Sequence, residues 1–213
     1  AIIRGRGETI VGVAIATARA VGLERPIRSL AAQTLKPVGV WVVSAVATPS
    51  LPAGWHLVDF TEPSYYSEEM AINAAADAAY AAGVDLIVLL ADLTELDPWA
   101  LQEMVETAEA FNAPLVSGAY CGHDPVTWAE KVRLPPDFVC SPVFADDGLV
   151  YFQFTGIRRD VWHAVKGLDE RFAGANGYQD TNLARRVEAA AGRCWINTGL
   201  VAHRAEYRGT EAL

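Results

Sequence analysis

The chain has 213 residues, a net charge of −9, 52% hydrophobic residues and 20% charged residues. This composition is typical of one compact α/β domain and argues against a disordered protein. The acidic balance without a basic stripe argues against a nucleic-acid partner, and no apolar run approaches the ~20 residues that a membrane span needs.

The three cysteines, Cys121, Cys140 and Cys194, are widely spaced and form no CxxC pair. This spacing argues against a zinc site and favours a reducing compartment. Residues 1–8 are not followed by the apolar core of a signal peptide. We therefore expect a cytoplasmic protein.

Strands and helices alternate through the first 120 residues. Strands are predicted at 9–16, 38–43, 56–60, 86–90 and 114–120, and helices at 23–34, 68–82 and 98–111. Ser67 is a suitable N-cap for the second helix, and Gly83 a suitable left-handed end. This alternation predicts a mostly parallel, doubly wound sheet.

An acidic segment follows the apolar strand Leu86–Leu90. Asp92, Glu95 and Asp97 come after its carboxyl end, where open α/β sheets bind ligands. Asp97 also suits an N-cap before Pro98, and Glu95 also suits a solvated position. Asp92 directly follows buried residues, so its carboxylate needs a polar partner or a cleft.

The alternation changes after residue 120. Residues 121–147 contain several prolines and no clear period, which indicates a long functional loop. A strand is predicted at 149–154, and Thr155-Gly156 is predicted to form a tight turn at its end. After this strand we predict a helix at 159–165, a glycine-containing loop, a helix at 180–191 and a strand at 194–198. His203 comes after the last of these strands.

Four blocks of sequence, in order, match one family pattern. They are the first strand with Thr17-Ala18-Arg19, the run from Leu23 to Pro37, the strand ending in Leu90-Ala91-Asp92-Leu93, and residues 155–180 with Gly167-Leu168-Asp169-Glu170 and Gln179-Asp180. Together they resemble the family 2 glycosyltransferases of the GT-A fold, over nearly the whole chain.

The resemblance implies a single GT-A-like, Rossmann-like domain. Its central sheet would be mostly parallel and flanked by helices, with an antiparallel strand in the C-terminal half. Residues 9–120 would form the nucleotide-sugar-binding half, and residues 121–205 the acceptor and catalytic half. The implied activity is transfer of a sugar from a nucleoside-diphosphate sugar to an acceptor hydroxyl.

The resemblance also implies roles for individual residues. Asp180 would be the general base of an inverting reaction. Mn²⁺ or Mg²⁺ would be bound by Asp92 and His203. The donor nucleotide would contact Thr17, Arg19, Ser44, Asn73 and Asp92, and the acceptor would contact Trp128, Gly156 and Gln179.

Several motif positions depart from the family pattern. Ser44-Ala45 stands where two aspartates are usual, Leu93 follows a single aspartate, and Gln179 replaces the glutamate before Asp180. Glu95 is an alternative ligand, and Lys131, Arg133 or Arg204 could neutralise a diphosphate without metal. The departures support an alternative function: a non-catalytic or repurposed domain that binds a nucleotide or a protein partner.

Overall fold

The structure, a computed structural model, describes most of the chain. The described residues are 9–19, 21–46, 50–60, 67–121, 140–145, 150, 153–173 and 178–204.

Strands and helices alternate as the sequence predicts. The strands are β1 (Val11–Thr17), β2 (Val40–Ser44), β3 (Trp55–Leu57), β4 (Leu86–Leu90), β5 (Thr94–Leu96), β6 (Leu115–Cys121), β7 (Cys140–Val143), β8 (Phe154–Arg158) and β9 (Cys194–Arg204). The helices are α1 (Glu24–Ala32), α2 (Glu68–Ala81), α3 (Ala100–Ala110), α4 (Arg159–Val165) and α5 (Gln179–Ala191). A 3₁₀ turn covers Glu170–Phe172.

These strands form one mixed sheet in the order β3-β2-β1-β4-β8-β6-β9-β5, and β7 also pairs with β9. β1, β2, β3, β4, β6 and β9 run in one direction. β8 runs opposite to its neighbours β4 and β6, and β5 and β7 run opposite to β9. The predicted fold class, a mostly parallel sheet with an antiparallel strand in the C-terminal half, is confirmed.

Helices cover both faces of the sheet. One hydrophobic cluster joins α2, α4 and α5 to the sheet, and it includes the fully buried Trp162. The other joins α1 and α3 to the opposite face through Leu30, Leu101 and Met104. Because both faces are covered, β1 and β4 are buried along their whole length, as expected for continuous apolar strands.

Local end signals were predicted correctly for α2. The Ser67 hydroxyl accepts a hydrogen bond from the Met70 amide at 3.2 Å, and Gly83 has a φ of 104°. The predicted bounds of β4 and α4 also match the structure. These elements depend on short-range patterns, so the sequence was sufficient to place them.

The acidic segment after β4 was predicted wrongly as a loop with an Asp97 cap. Thr94–Leu96 is a strand, β5, which pairs with Ala202–Arg204 of β9. Helix α3 begins at Ala100 without a side-chain cap at its start. The reason is tertiary, because β9 offers an edge to which these three residues bind.

Two further predictions in the C-terminal half need correction. Thr155 and Gly156 do not form a turn at the end of a strand, since both lie within β8 between β4 and β6. His203 does not follow the last strand, since β9 continues to Arg204. Strand β7 was not predicted, and most of the long loop predicted at 121–147 lies outside the described residues.

Cys140 and Cys194 are free thiols in the described part of the chain. Burial raises the pKa of Cys194 to about 12, so this thiol stays protonated at neutral pH. Within the ranges that the structure describes, no helix combines the length and apolarity needed to cross a bilayer.

Candidate functional site

Polar residues meet at the carboxyl edge of the parallel strands β1, β2 and β4. Thr17, the last residue of β1, is paired in register with Ser44, the last residue of β2. β1 is also in register with β4, where Ala14 lies beside Leu89. Extending that register by three residues places Thr17 beside Asp92. The edge predicted from the sequence as a ligand site therefore contains Thr17, Ser44 and Asp92 together.

Asp92 is the central acid of this edge, and it is only 5% exposed. The Thr17 hydroxyl donates a hydrogen bond to Asp92 Oδ2 at 2.8 Å. Arg19 Nη1 lies 2.7 Å from Asp92 Oδ1 and 2.8 Å from Oδ2. The buried carboxylate thus has the polar partners that its burial requires.

The loop between β1 and α1 closes over this group at Gly22. A Cβ atom added to Gly22 would meet the Thr17 hydroxyl and would lie 2.8 Å from Asp92 Oδ2. The Leu93 amide donates to the Gly22 carbonyl at 2.8 Å, and Leu93 has a left-handed φ of 61°. Only a glycine allows the backbone to pass so close to Asp92. The sequence analysis missed Gly22, because a single glycine in a loop carries no local signal.

Ser44 belongs to the same edge through backbone contacts. The Ala45 amide donates to the Thr17 carbonyl at 2.9 Å, which fixes the exit of β2 against β1. The Ser44 hydroxyl donates to the Val46 carbonyl at 3.2 Å. Ser44 therefore shapes the turn that follows β2.

The Asn73 side chain bonds to the segment that follows α4. Its amide nitrogen donates to the Leu168 carbonyl at 2.9 Å and to Glu170 Oε1 at 3.0 Å, and its Oδ1 accepts from the Leu168 amide at 2.8 Å. These bonds attach α2 to the segment after α4. Within the described residues, no hydrogen bond joins Asn73 to Thr17, Arg19 or Asp92.

Asp180 lies in the first turn of α5. The preceding Gln179 side chain donates to Glu69 Oε1 at 2.9 Å, in the first turn of α2. Because α2 leads from β3 to the parallel β4, it begins at the carboxyl edge of the sheet. The Gln179–Glu69 bond therefore brings Asp180 to the same edge as Asp92.

Glu69 is a functional candidate that sequence reasoning missed. This acid is only 3% exposed, and it also accepts a hydrogen bond from the Ser67 hydroxyl at 3.0 Å. Its place in the first turn of α2 also suits an interaction with the helix dipole. Its contact with Gln179 spans 110 positions, so no local pattern could predict it.

Gly156 lies inside the sheet, paired with Val88 of β4 and Val116 of β6. A Cβ atom there would lie 2.9 Å from the Met104 sulfur of α3. This close packing between β8 and α3 is a structural reason for a glycine at this position, and it does not involve an acceptor molecule. Of the other two predicted acceptor residues, Gln179 bonds to Glu69. Trp128 lies outside the described residues, as do Lys131 and Arg133.

His203 and Glu95 face each other in the β5–β9 pair. His203 Nε2 lies 3.5 Å from Asp97 Oδ2, and Glu95 Oε2 lies 2.8 Å from Arg28 Nη2. Both residues therefore have partners other than Asp92.

These contacts test the predicted divalent cation. Both oxygens of the Asp92 carboxylate accept hydrogen bonds from the Arg19 guanidinium, so the charge of this acid is already paired. His203 lies beside Asp97 instead. Across the described ranges, no three His, Cys, Asp or Glu side chains come together as a cation site. The arrangement of Asp92 and His203 therefore does not fit a resident Mn²⁺ or Mg²⁺.

Two of the three comparisons with known proteins found nothing: no family model matches the sequence, and no curated protein matches it. Solved structures do match. TarS 1–349 of S. aureus superposes with a TM-score of 0.70 at 10% identity over 92% of this chain. GalNAc-T7, solved with UDP, GalNAc and Mn²⁺, superposes with a TM-score of 0.67 at 10% identity over 94% of this chain. The chain has a GT-A-like fold.

The match covers only part of these neighbours. This chain spans 60% of TarS 1–349 and 44% of GalNAc-T7. TarS 1–349 has also been solved in complex with UDP, and that structure superposes with a TM-score of 0.65 at 11% identity. At such identities the likeness establishes the fold.

Proposed function

We propose that this chain is a glycosyltransferase that uses a nucleoside-diphosphate sugar as donor. The observation that carries the proposal is the meeting of Thr17, Arg19, Ser44 and Asp92 at the carboxyl edge of a GT-A-like sheet. Two structural neighbours were solved with UDP, which supports a nucleotide ligand for this fold. In this proposal residues 9–120 bind the donor and residues 121–205 bind the acceptor.

Asp180 is the proposed general base of an inverting reaction. Its carboxylate takes the proton of the acceptor hydroxyl while that oxygen forms a bond to the anomeric carbon of the sugar. The bond between this carbon and the diphosphate breaks, and the nucleoside diphosphate leaves with the electron pair. Support for this role comes from the Gln179–Glu69 bond, which brings the start of α5 to the donor edge.

A second function is favoured by one specific observation. The Asp92 carboxylate is already paired with Arg19 and Thr17, so the acidic motif differs from one that holds a donor through a metal. A repurposed domain with this arrangement would bind a nucleotide or a protein partner without transferring a sugar.

Asp180→Asn separates these functions. We expect it to lower the rate of nucleotide release from a panel of UDP- and GDP-sugars by about 100-fold or more, because a general base contributes about that much. Donor affinity should stay unchanged. The matched control is Asp160→Asn, since Asp160 lies in the first turn of α4 as Asp180 does in α5.

An Asp180→Asn variant with full turnover would contradict the catalytic role. It would then behave like Asp160→Asn, as expected for an acid with a structural role at the start of a helix. Nucleotide binding without any turnover in the wild-type protein would favour the repurposed domain.

A further inference from the structure

A buried acid of α2 binds the start of α5. Glu69 is only 3% exposed, and each oxygen of its carboxylate accepts a hydrogen bond from a side chain. The Ser67 hydroxyl donates to Oε2 at 3.0 Å, and the Gln179 amide donates to Oε1 at 2.9 Å. The Ser67 hydroxyl also accepts from the Met70 amide, which fixes it at the first turn of α2. Glu69 is therefore oriented by α2 while it binds Gln179 of α5.

The hydrophobic core holds α5 from its second turn onward. Leu183 and Val187 are fully buried in the cluster that α5 shares with α2 and α4. Gln179 and Asp180 precede these residues, and both are only partly buried. The direction of the first turn therefore depends on polar contacts, and the Glu69–Gln179 bond is one of them. A hydrogen bond to a carboxylate is about twice as strong as one between neutral groups, so this contact suits that task.

The residue before Gln179 anchors the helix start weakly. Tyr178 occupies the N-cap position of α5, but its side chain makes no capping bond to the helix. Its ring is 79% exposed, so packing of the ring does not fix the backbone. Its φ of 70° is a conformation that residues other than glycine seldom adopt and that surrounding contacts have to hold. The Glu69–Gln179 bond follows directly in the chain and is such a contact.

We propose that Glu69 is a positioning residue for the reaction, which acts through Gln179 to hold Asp180 in place at the carboxyl edge of the sheet. Asp180 remains the group that takes the proton of the acceptor, and Glu69 takes no part in that transfer. This inference rests on the proposed function, because it names the group that positions its general base. A misplacement of about 1 Å can cost about 100-fold in rate, so the loss of such a contact is measurable.

The first test measures kcat and the donor KM for nucleotide release from the panel of UDP- and GDP-sugars. Glu69→Ala should lower kcat by about 10- to 100-fold and leave the donor KM unchanged, because the base is misplaced while the contacts of β1 and β4 remain. Glu68→Ala is the matched control. Glu68 lies in the same turn and has the same relation to the helix dipole, but it is exposed. Its kcat should equal that of the wild type.

A double-mutant cycle tests whether Glu69 acts through Asp180. Adding Glu69→Ala to Asp180→Asn should change kcat by less than about two-fold, because a residue that only positions the base has nothing left to position. An acid with a merely structural role would lower kcat by the same factor in both backgrounds.

An exchange of the amide and the carboxylate provides a second test. Gln179→Glu alone places two carboxylates in contact, and it should lower kcat by about 10-fold because like charges repel each other. Combining Gln179→Glu with Glu69→Gln restores a bond between an amide and a carboxylate, with the roles reversed. Most of the loss in kcat should then be recovered.

Three results would overturn the inference. Equal kcat of Glu69→Ala and the wild type, or independent losses from Glu69→Ala and Asp180→Asn, would refute positioning and leave the proposed function intact. An absence of turnover in the wild-type protein with every donor would count against the inference and the proposed function alike. Thermal unfolding checks that each variant is folded. If Glu69→Ala does not fold, the exchange decides, and a double variant that recovers no turnover refutes the inference.

Discussion

Tyr178 holds a backbone conformation that residues other than glycine seldom adopt. Its φ is 70°, and its side chain is 79% exposed, so packing of the ring contributes little to stability. The conformation is held by its neighbours: the Asn182 amide donates to the Tyr178 carbonyl at 2.8 Å, and Gln179 bonds to Glu69. These contacts begin α5 in the orientation that carries Asp180 to the carboxyl edge of the sheet.

We expect Tyr178→Gly to raise the free energy of unfolding by about 0.5–1 kcal/mol. Relief of the left-handed conformation contributes about 1–2 kcal/mol, and the greater freedom of glycine in the unfolded chain offsets about 0.5–1 kcal/mol. Urea unfolding measures the change. Lys166→Gly is the matched control, because Lys166 is an exposed residue with a φ of 61° in a part of the fold away from α5's first turn.

The two variants should be stabilised by similar amounts. If Lys166→Gly gains stability and Tyr178→Gly loses it, the Tyr178 ring contributes contacts that outweigh the backbone strain. That result would contradict the assignment of Tyr178 as a strained, solvent-facing residue.

At the scale of elements, β8 connects the two halves of the sheet. It lies antiparallel between β4 and β6, and Gly156 gives α3 room to approach through Met104. The structure thus gives Gly156 a packing role where the family resemblance implied an acceptor contact.

A double-mutant cycle tests this packing. Gly156→Ala should destabilise the protein by about 1–3 kcal/mol, because the new methyl group meets the Met104 sulfur. Met104→Ala should cost about 2–5 kcal/mol by leaving a cavity. The double variant should be more stable than the sum of the two losses predicts, since the methyl group partly fills that cavity. Additive losses would show that the two residues do not meet.

At the scale of the whole molecule, the parallel strands place residues from distant parts of the chain at one edge. Thr17 and Asp92 are 75 positions apart, and their side chains are in hydrogen-bond contact. A nucleotide that binds this edge contacts the folded protein and has no site in the unfolded chain, so binding must stabilise the fold.

Thermal unfolding with added UDP or GDP provides a direct test. A nucleotide at 100 times its Kd adds about 2.7 kcal/mol to stability, which corresponds to a rise of about 5–10 °C in Tm for a chain of this size. Uridine and guanosine are the controls without phosphate, and we expect a much smaller shift from them. Equal shifts from nucleoside and nucleotide would show that the diphosphate makes no important contact.

The sequence by itself determined the fold class, most elements of the first half and the edge where polar residues meet. β4 is a run of five apolar residues, and α2 has a serine cap and a terminal glycine. Periodicity and capping act over a few residues, so they can be identified in the sequence. The position of Asp92 after a buried strand likewise predicted a partner for its carboxylate.

Tertiary structure alone decided which partner each candidate residue has. Arg19 and Asp92 are 73 positions apart, and Asn73 contacts Leu168 across 95 positions. Glu95 and His203 meet because β5 binds to the edge of β9. Such contacts depend on how strands and helices pack, and no short-range pattern encodes them. The sequence therefore located the acid at the carboxyl edge of the sheet, whereas the fold determined that Arg19 pairs with it.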